Sequence, residues 1–192
     1  KKILILFAIA GFFSCQTRRP DLVPPAGPHF RSLAIKFSFH DSGASQNGRV
    51  SWRFDDHGSK FLFFTPLNLV AMELDVAAED ALLVNHDKKA FWRGDFSGLL
   101  DRMWGIALTH SDLKSLLAEN GTLPAGLAGK GIAVALERAA AGGTLETVRL
   151  RRGDADLALH ILKDELRPGK IILVNYAERY QPLDLERVLE ND

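Results

Sequence analysis

Between Arg31 and Ala177 the hydrophobic pattern of this chain repeats every two residues, then every 3.6, then every two again. Leu33, Ile35, Phe37 and Phe39 alternate with Ala34, Lys36, Ser38 and His40. Val50, Trp52 and Phe54 alternate with Ser51, Arg53 and Asp55. A period of two is the mark of a half-buried strand. Lys60 to Thr65, Asn68 to Asp75, Ala81 to Asn85 and Lys89 to Arg93 continue the series at hairpin spacing. Turn residues separate them, Gly43, Asn47 and Gly48 first, then Asp55 to Gly58. The spacing predicts an antiparallel meander of about six strands.

After Asp95, a capping residue, Phe96, Leu99, Leu100, Met103 and Trp104 fall on one stripe of a helix. Thr109 opens a second helix, with Asp112 three residues on as a capping partner and Leu113, Leu116 and Leu117 on one face. Asn120-Gly121 is expected to end it, and a glycine-rich loop follows to Lys130. Strands resume at Ile132 to Leu136, Leu145 to Arg151 after Gly142-Gly143, Leu157 to Ile161, and Lys170 to Ala177 after Pro168-Gly169. A short helix from Asp184 closes the series. The expected fold is mainly β (α+β), a curled antiparallel half-barrel of about 10–11 strands with a helical lid inserted mid-chain. A sheet of that width cannot stay flat, because twist makes it curl.

The N-terminal stretch carries a different message. Lys1 and Lys2 precede an uncharged run from Ile3 to Phe13, and Ser14-Cys15 closes it. The run is too short for a spanning helix, which needs about 20 apolar residues, and it suits the core of a secretory signal. Ala8-Ile9-Ala10 fits the letters of an ordinary cleavage site but would leave too short a core. Phe12-Phe13-Ser14-Cys15 resembles a bacterial lipobox, with Phe12 where Leu is usual, which implies removal of residues 1–14 and lipidation of Cys15 by acyl groups such as palmitate. An uncleaved signal anchor is the alternative. Cys15 is the only cysteine, so no intramolecular disulfide competes for it. Gln16 to His29 holds four prolines and no apolar period, an extended tether with the lipidated residue at its head (15–29). Gln16 stands where enterobacterial lipoproteins retained at the inner membrane carry Asp, which by resemblance favours the outer membrane. Residues 30–192 are left as one domain.

Charge excludes some classes of partner. Basic and acidic residues number 24 each, so no basic field points to nucleic acid and no acidic tail to a basic partner. The chain is expected to act as a monomer. The histidines at 29, 40, 57, 86, 110 and 160 fall in separate elements without zinc spacing, and no metal or cofactor is expected. Gly94 to Gly98 misplaces its serine for a nucleophile elbow, and Gly129-Lys130 lacks the rest of a phosphate loop. Asp55-Asp56 and Glu79-Asp80 read as solvated turn carboxylates, and Arg152-Gly153-Asp154 as a hairpin turn. Nothing reads as catalytic.

Phe61 to Phe64, Leu82 to Val84 and Ile171 to Val174 are apolar on both faces, so each face needs a cover. A curled sheet under a helical lid can enclose an apolar cavity, or the same residues can form a closed core, which composition alone favours. The order of elements resembles the LolB family of outer membrane lipoproteins, whose half-barrel fold is shared with the periplasmic carrier LolA. The resemblance rests on the lipobox cysteine, Val50-Ser51-Trp52-Arg53-Phe54, Phe64-Thr65-Pro66-Leu67, the helix Leu113 to Asn120, Gly121-Thr122-Leu123-Pro124 with Leu127, and Asn175-Tyr176. It departs at Gly126 to Gly131, where the family usually has a tryptophan, and at Asn68, where it has a glycine. The resemblance implies an acyl-chain cavity, with Phe37, Trp52, Phe54, Phe63, Met72, Leu99, Met103, Trp104 and Leu116 as candidate lining residues. It implies a membrane-insertion loop at Pro66 and Leu67, a LolA-like carrier as partner, and lipoproteins as cargo at the periplasmic face of a Gram-negative outer membrane. A structural or assembly lipoprotein that recruits a protein partner without a lipid cavity is the alternative, and an enzyme would need a serine, a histidine and a carboxylate brought together in space.

Overall fold

The computed structural model describes residues 28–117, 123–124, 126–138 and 145–190. The lipobox, Cys15, most of the tether, the Asn120-Gly121 helix end and the Gly142-Gly143 turn lie outside these residues. The meander runs as β1 (His29–Asp41), β2 (Ala44–Phe54), β3 (Ser59–Phe64), β4 (Val70–Ala77), β5 (Asp80–Asn85) and β6 (Ala90–Asp95). Helices α1 (Phe96–Trp104) and α2 (His110–Leu116) follow, then a 3₁₀ turn (Ala128–Lys130) and β7 (Ala133–Arg138), β8 (Leu145–Arg152) and β9 (Ala155–Pro168). The two-residue β10 (Gln181–Pro182) and α3 (Leu185–Leu189) end the chain's regular structure.

All ten strands form one open, curled sheet in the order β10-β6-β5-β4-β3-β2-β1-β9-β8-β7. Neighbours are antiparallel except β10, which runs parallel to β6. The long pairing of β1 with β9 joins the N-terminal meander to the C-terminal hairpins, and its register slips by one residue between Ala34 and Ile35. A bulge of this kind bends and coils a sheet.

The helices lie on the inner face, where Leu33, Ile35, Trp52, Phe61, Leu74 and Leu83 pack with Phe96, Leu99, Leu116 and Val188. Local signals set the helix ends. The Asp95 carboxylate accepts from Gly98 N–H at 2.7 Å, and Gly105, at φ +64°, ends α1 with its N–H on Asp101 C=O. Thr109 and Asp112 form the reciprocal capping bonds, at 3.0 and 3.1 Å. Arg152 bonds Asp101 and the Gly105 carbonyl, so the Arg-Gly-Asp letters are a clamp between the β8–β9 turn and the end of α1.

One predicted strand is absent. Residues 170–175 form no ladder and cross the outer face of the sheet as a strap. Pro168 ends β9 and Gly169, at φ +118°, turns the chain away. Carboxylates then take the place of a neighbouring strand. Asp55 accepts from Ile171 N–H at 3.3 Å, Asp75 from Val174 N–H at 3.0 Å, and Glu73 from the Tyr176 hydroxyl at 2.9 Å. Burial pushes Asp55 up, but the backbone N–H groups of His57, Ile171 and Gly58 outweigh it and hold the carboxyl below its ordinary range. Asp55 is thus a fastener rather than a solvated turn residue. Glu79 is another, since it accepts the His110 N–H that opens α2.

Beneath the strap Lys60 bonds Glu73 and lies 3.1 Å from Asp75, all three buried. Burial raises the Asp75 carboxyl despite this contact. Removing the lysine leaves two buried carboxylates without their ammonium partner. Lys60→Met should therefore lower stability by about 3–5 kcal/mol in urea unfolding, and a loss below about 1 kcal/mol would show that the cluster contributes little.

Candidate functional site

The candidate site is a cleft of about 690 Å³ at one mouth of the curled sheet. The β1–β2 hairpin supplies Phe37 and Ser45 to Arg49, the β3–β4 hairpin supplies Phe63, Phe64, Pro66, Ala71 and Met72, and the helices supply Arg102, Met103 and Leu189. The volume is that of an ordinary small-molecule site. Its apolar wall is made by period-two residues of three strands facing the outer edge of the α1 stripe. Phe37 is placed by Gly48, because a Cβ at that position would lie 2.5 Å from the ring. Only glycine leaves room for it. At the rim the hairpin tip turns through Asn68, at φ +62°, and Leu67 and Leu69 stand 82% and 64% exposed.

Of the nine residues proposed from sequence as cavity lining, Phe37, Phe63, Met72 and Met103 come together in this cleft. Trp104 lies behind it, with its ring 5.8 Å from that of Phe37. Trp52, Leu99 and Leu116 are fully buried, and Trp52 stacks on Phe61 at 5.1 Å. They belong to the closed core. Phe54 lies elsewhere, in a polar pocket of about 630 Å³ with Arg31, Glu79, His110 and Lys114. Pro66 lines the cleft and Leu67 projects from it. Asn47 and Gly48, read from the sequence as turn residues, lie inside β2, where a glycine is the known sign of a close approach.

The second pocket borders a serine–histidine contact, the pairing that would suggest hydrolysis. The Ser59 hydroxyl lies 2.5 Å from His110 Nε2, and His110 Nδ1 lies 3.0 Å from the Ala78 carbonyl. A carbonyl only accepts, so Nδ1 carries the proton and Ser59 donates to Nε2. Glu79 bonds the His110 backbone rather than its ring. Ser59 is fully buried, so no substrate reaches its oxygen. The pair is a strut between β3 and α2. Among the described residues no group of three or more metal-ligating side chains is assembled, and no helix is long and apolar enough to cross a membrane.

Burial, reinforced by Lys114, holds the His110 imidazole below the ordinary histidine range, while the bond to Ala78 opposes the shift. An unfolded histidine takes a proton near pH 6.5, and this one only at lower pH, so the unfolded chain binds more protons between the two. Stability is complete above about pH 7 and falls as pH drops through about 6.5, by at most about 1.4 kcal/mol per pH unit. His110→Gln should remove that part of the slope in unfolding measured at pH 7.5, 6.5 and 5.5. An unchanged slope would place the titration elsewhere.

A family model described as outer membrane lipoprotein LolB matches residues 31–126, half of the chain, spanning β1 to the loop after α2 and including most of the cleft. A search of curated proteins found no match.

Proposed function

Because the chain belongs to the LolB family, outer membrane lipoproteins of Gram-negative bacteria that act in lipoprotein localisation with a LolA carrier, we propose that its cleft receives the acyl chains of lipoproteins. The observation that carries this reading is the cleft of about 690 Å³ with an apolar wall of Phe37, Phe63, Met72 and Met103 beside an exposed leucine tip. Methionines suit a hydrocarbon guest, being unbranched and adaptable. The pocket's Arg49, Arg102 and Asn47 fit the polar end of such a guest.

In the proposed cycle a LolA-like periplasmic carrier presents the lipoprotein at the mouth, and the acyl chains move along the wall formed by Phe37 and Met103. Pro66 and Leu67 meet the membrane interface and open an exit into the outer membrane. Cys15, lipidated at the head of the tether 15–29, holds the domain at that membrane. Handover follows the difference in affinity between carrier and receptor, so no nucleotide and no catalytic group is needed. A structural lipoprotein that recruits a protein partner is the competing reading, favoured by the closed core around Trp52. Acyl binding separates the two.

A fluorescent fatty acid should bind the wild type and be displaced by unlabelled palmitate. Gly48→Leu, which drives the Phe37 ring into the cleft, should weaken that binding about tenfold or more, equivalent to about 1.4 kcal/mol. Leu67→Glu should keep the same melting temperature and the same probe affinity while abolishing transfer of a lipoprotein to vesicles. Normal transfer by a folded Leu67→Glu protein would remove the tip from the cycle.

A further inference from the structure

On the outer face of the sheet, beyond the strap, register brings two cations and a histidine together without counter-charges. Lys36 on β1 stands directly opposite Arg49 on β2 and His160 on β9. Side chains so opposed are about 5 Å apart at Cβ, where the like charges of Lys36 and Arg49 repel. The adjacent outer-face positions are Ser38, Asn47 and Ala158 on one side and Ala34, Ser51 and Lys163 on the other, with no carboxylate among them. The nearest acids are already engaged, Asp156 with Arg149 and Arg151, and Glu165 with Lys163 and Arg167. Lys36 and Arg49 have no ion-pair partner among the described residues, and His160 bonds only the Thr147 hydroxyl at 3.2 Å. In a chain with equal numbers of basic and acidic residues, this is a local excess.

Arg49 ties the row to the hairpin tip, since its Nη1 donates to the Asn68 side-chain oxygen at 3.2 Å. Leu67 and Leu69 flank that asparagine and are largely exposed. Two leucines and a row of cations thus form one continuous strip. We infer that this strip is a headgroup-binding surface for anionic phospholipid, with Arg49 and Lys36 on the phosphates and the two leucines in the hydrocarbon below them. An acidic protein would match the cations and leave the leucines in water, whereas a bilayer offers hydrocarbon directly beneath a layer of phosphate. The inference rests on the proposed contact of Leu67 with the membrane and adds which lipid that contact selects.

The test is amide hydrogen exchange on the full-length protein reconstituted in vesicles of phosphatidylcholine, alone or with roughly 30% phosphatidylglycerol. Exchange over residues 64–70 should slow on the anionic vesicles relative to the neutral ones. Each charge neutralised should cost about fivefold in the membrane-engaged population, the equivalent of about 1 kcal/mol. The pair Lys36→Gln and Arg49→Gln should therefore return the tip to its neutral-vesicle rate. Lys36→Glu alone, which gives Arg49 a counter-charge, should lose the protection yet melt at or above the wild-type temperature, a combination that a structural lysine would not give. Equal protection on both vesicles, or protection unchanged in the variants, would overturn the inference. So would protection that appears only when an acidic protein is added. Fatty-acid binding by the wild type is measured separately, and its absence would count against the acyl-chain reading of the cleft and not against this surface.

Discussion

The pairing of β1 with β9 is the constraint on which the rest of this molecule depends. It joins residues 29–40 to residues 156–168, so the two ends of the ladder lie more than a hundred residues apart along the chain. Neither half is self-sufficient, because Leu33 and Ile35 on β1 and Leu157 and Leu159 on β9 belong to one core with the helices between. The bulge in that pairing also coils the sheet, and coiling sets the inner face around α1 and leaves a cleft at one mouth. Closing so long a loop makes this contact entropically expensive to form early.

Two faces of the sheet are solved by different means. The inner face is covered by helices that bury apolar stripes, at about 25 cal/mol for each Å² removed from water. The outer face of β3 to β5 is covered by the strap, whose backbone is held by carboxylates. There Val84 is fully buried, while Ile172 of the strap is 75% exposed. A strap fastened by side chains has fewer cooperative bonds than a strand. The cleft sits between these two solutions. Its walls are strands, its floor is the edge of a helix, and its rim is a hairpin tip whose Leu67 and Leu69 are largely exposed.

Much of the fold was legible in the sequence. Period two in Leu33 to Phe39 and the stripe from Phe96 to Trp104 each report which atoms leave water, and both survive in the structure. The Thr109–Asp112 box was readable because its two bonds are local. The segment 171–174 was misread because an apolar run looks the same whether it is a buried strand or the cover over one. The candidate site was half legible. Phe37, Phe63, Met72 and Met103 share a cleft, while Trp52, Leu99 and Leu116 carry the same alternation and stripe yet lie one layer deeper. Alternation tells which face a residue takes and not how far from the mouth it lies. The basic row of Arg49, Lys36 and His160 needs the register of three strands, which no single segment contains.

The curled sheet keeps a cleft with one apolar wall open at its mouth, beside a packed interior. Photo-crosslinking with a diazirine-bearing palmitate, followed by peptide mapping, tests it most directly. Adducts are expected on residues of the cleft wall, at Phe37, Met72 and Met103, and none on Trp52 or Leu116. Adducts confined to the polar pocket around Phe54, or no adducts with a folded protein, would contradict it and leave the interior a closed core.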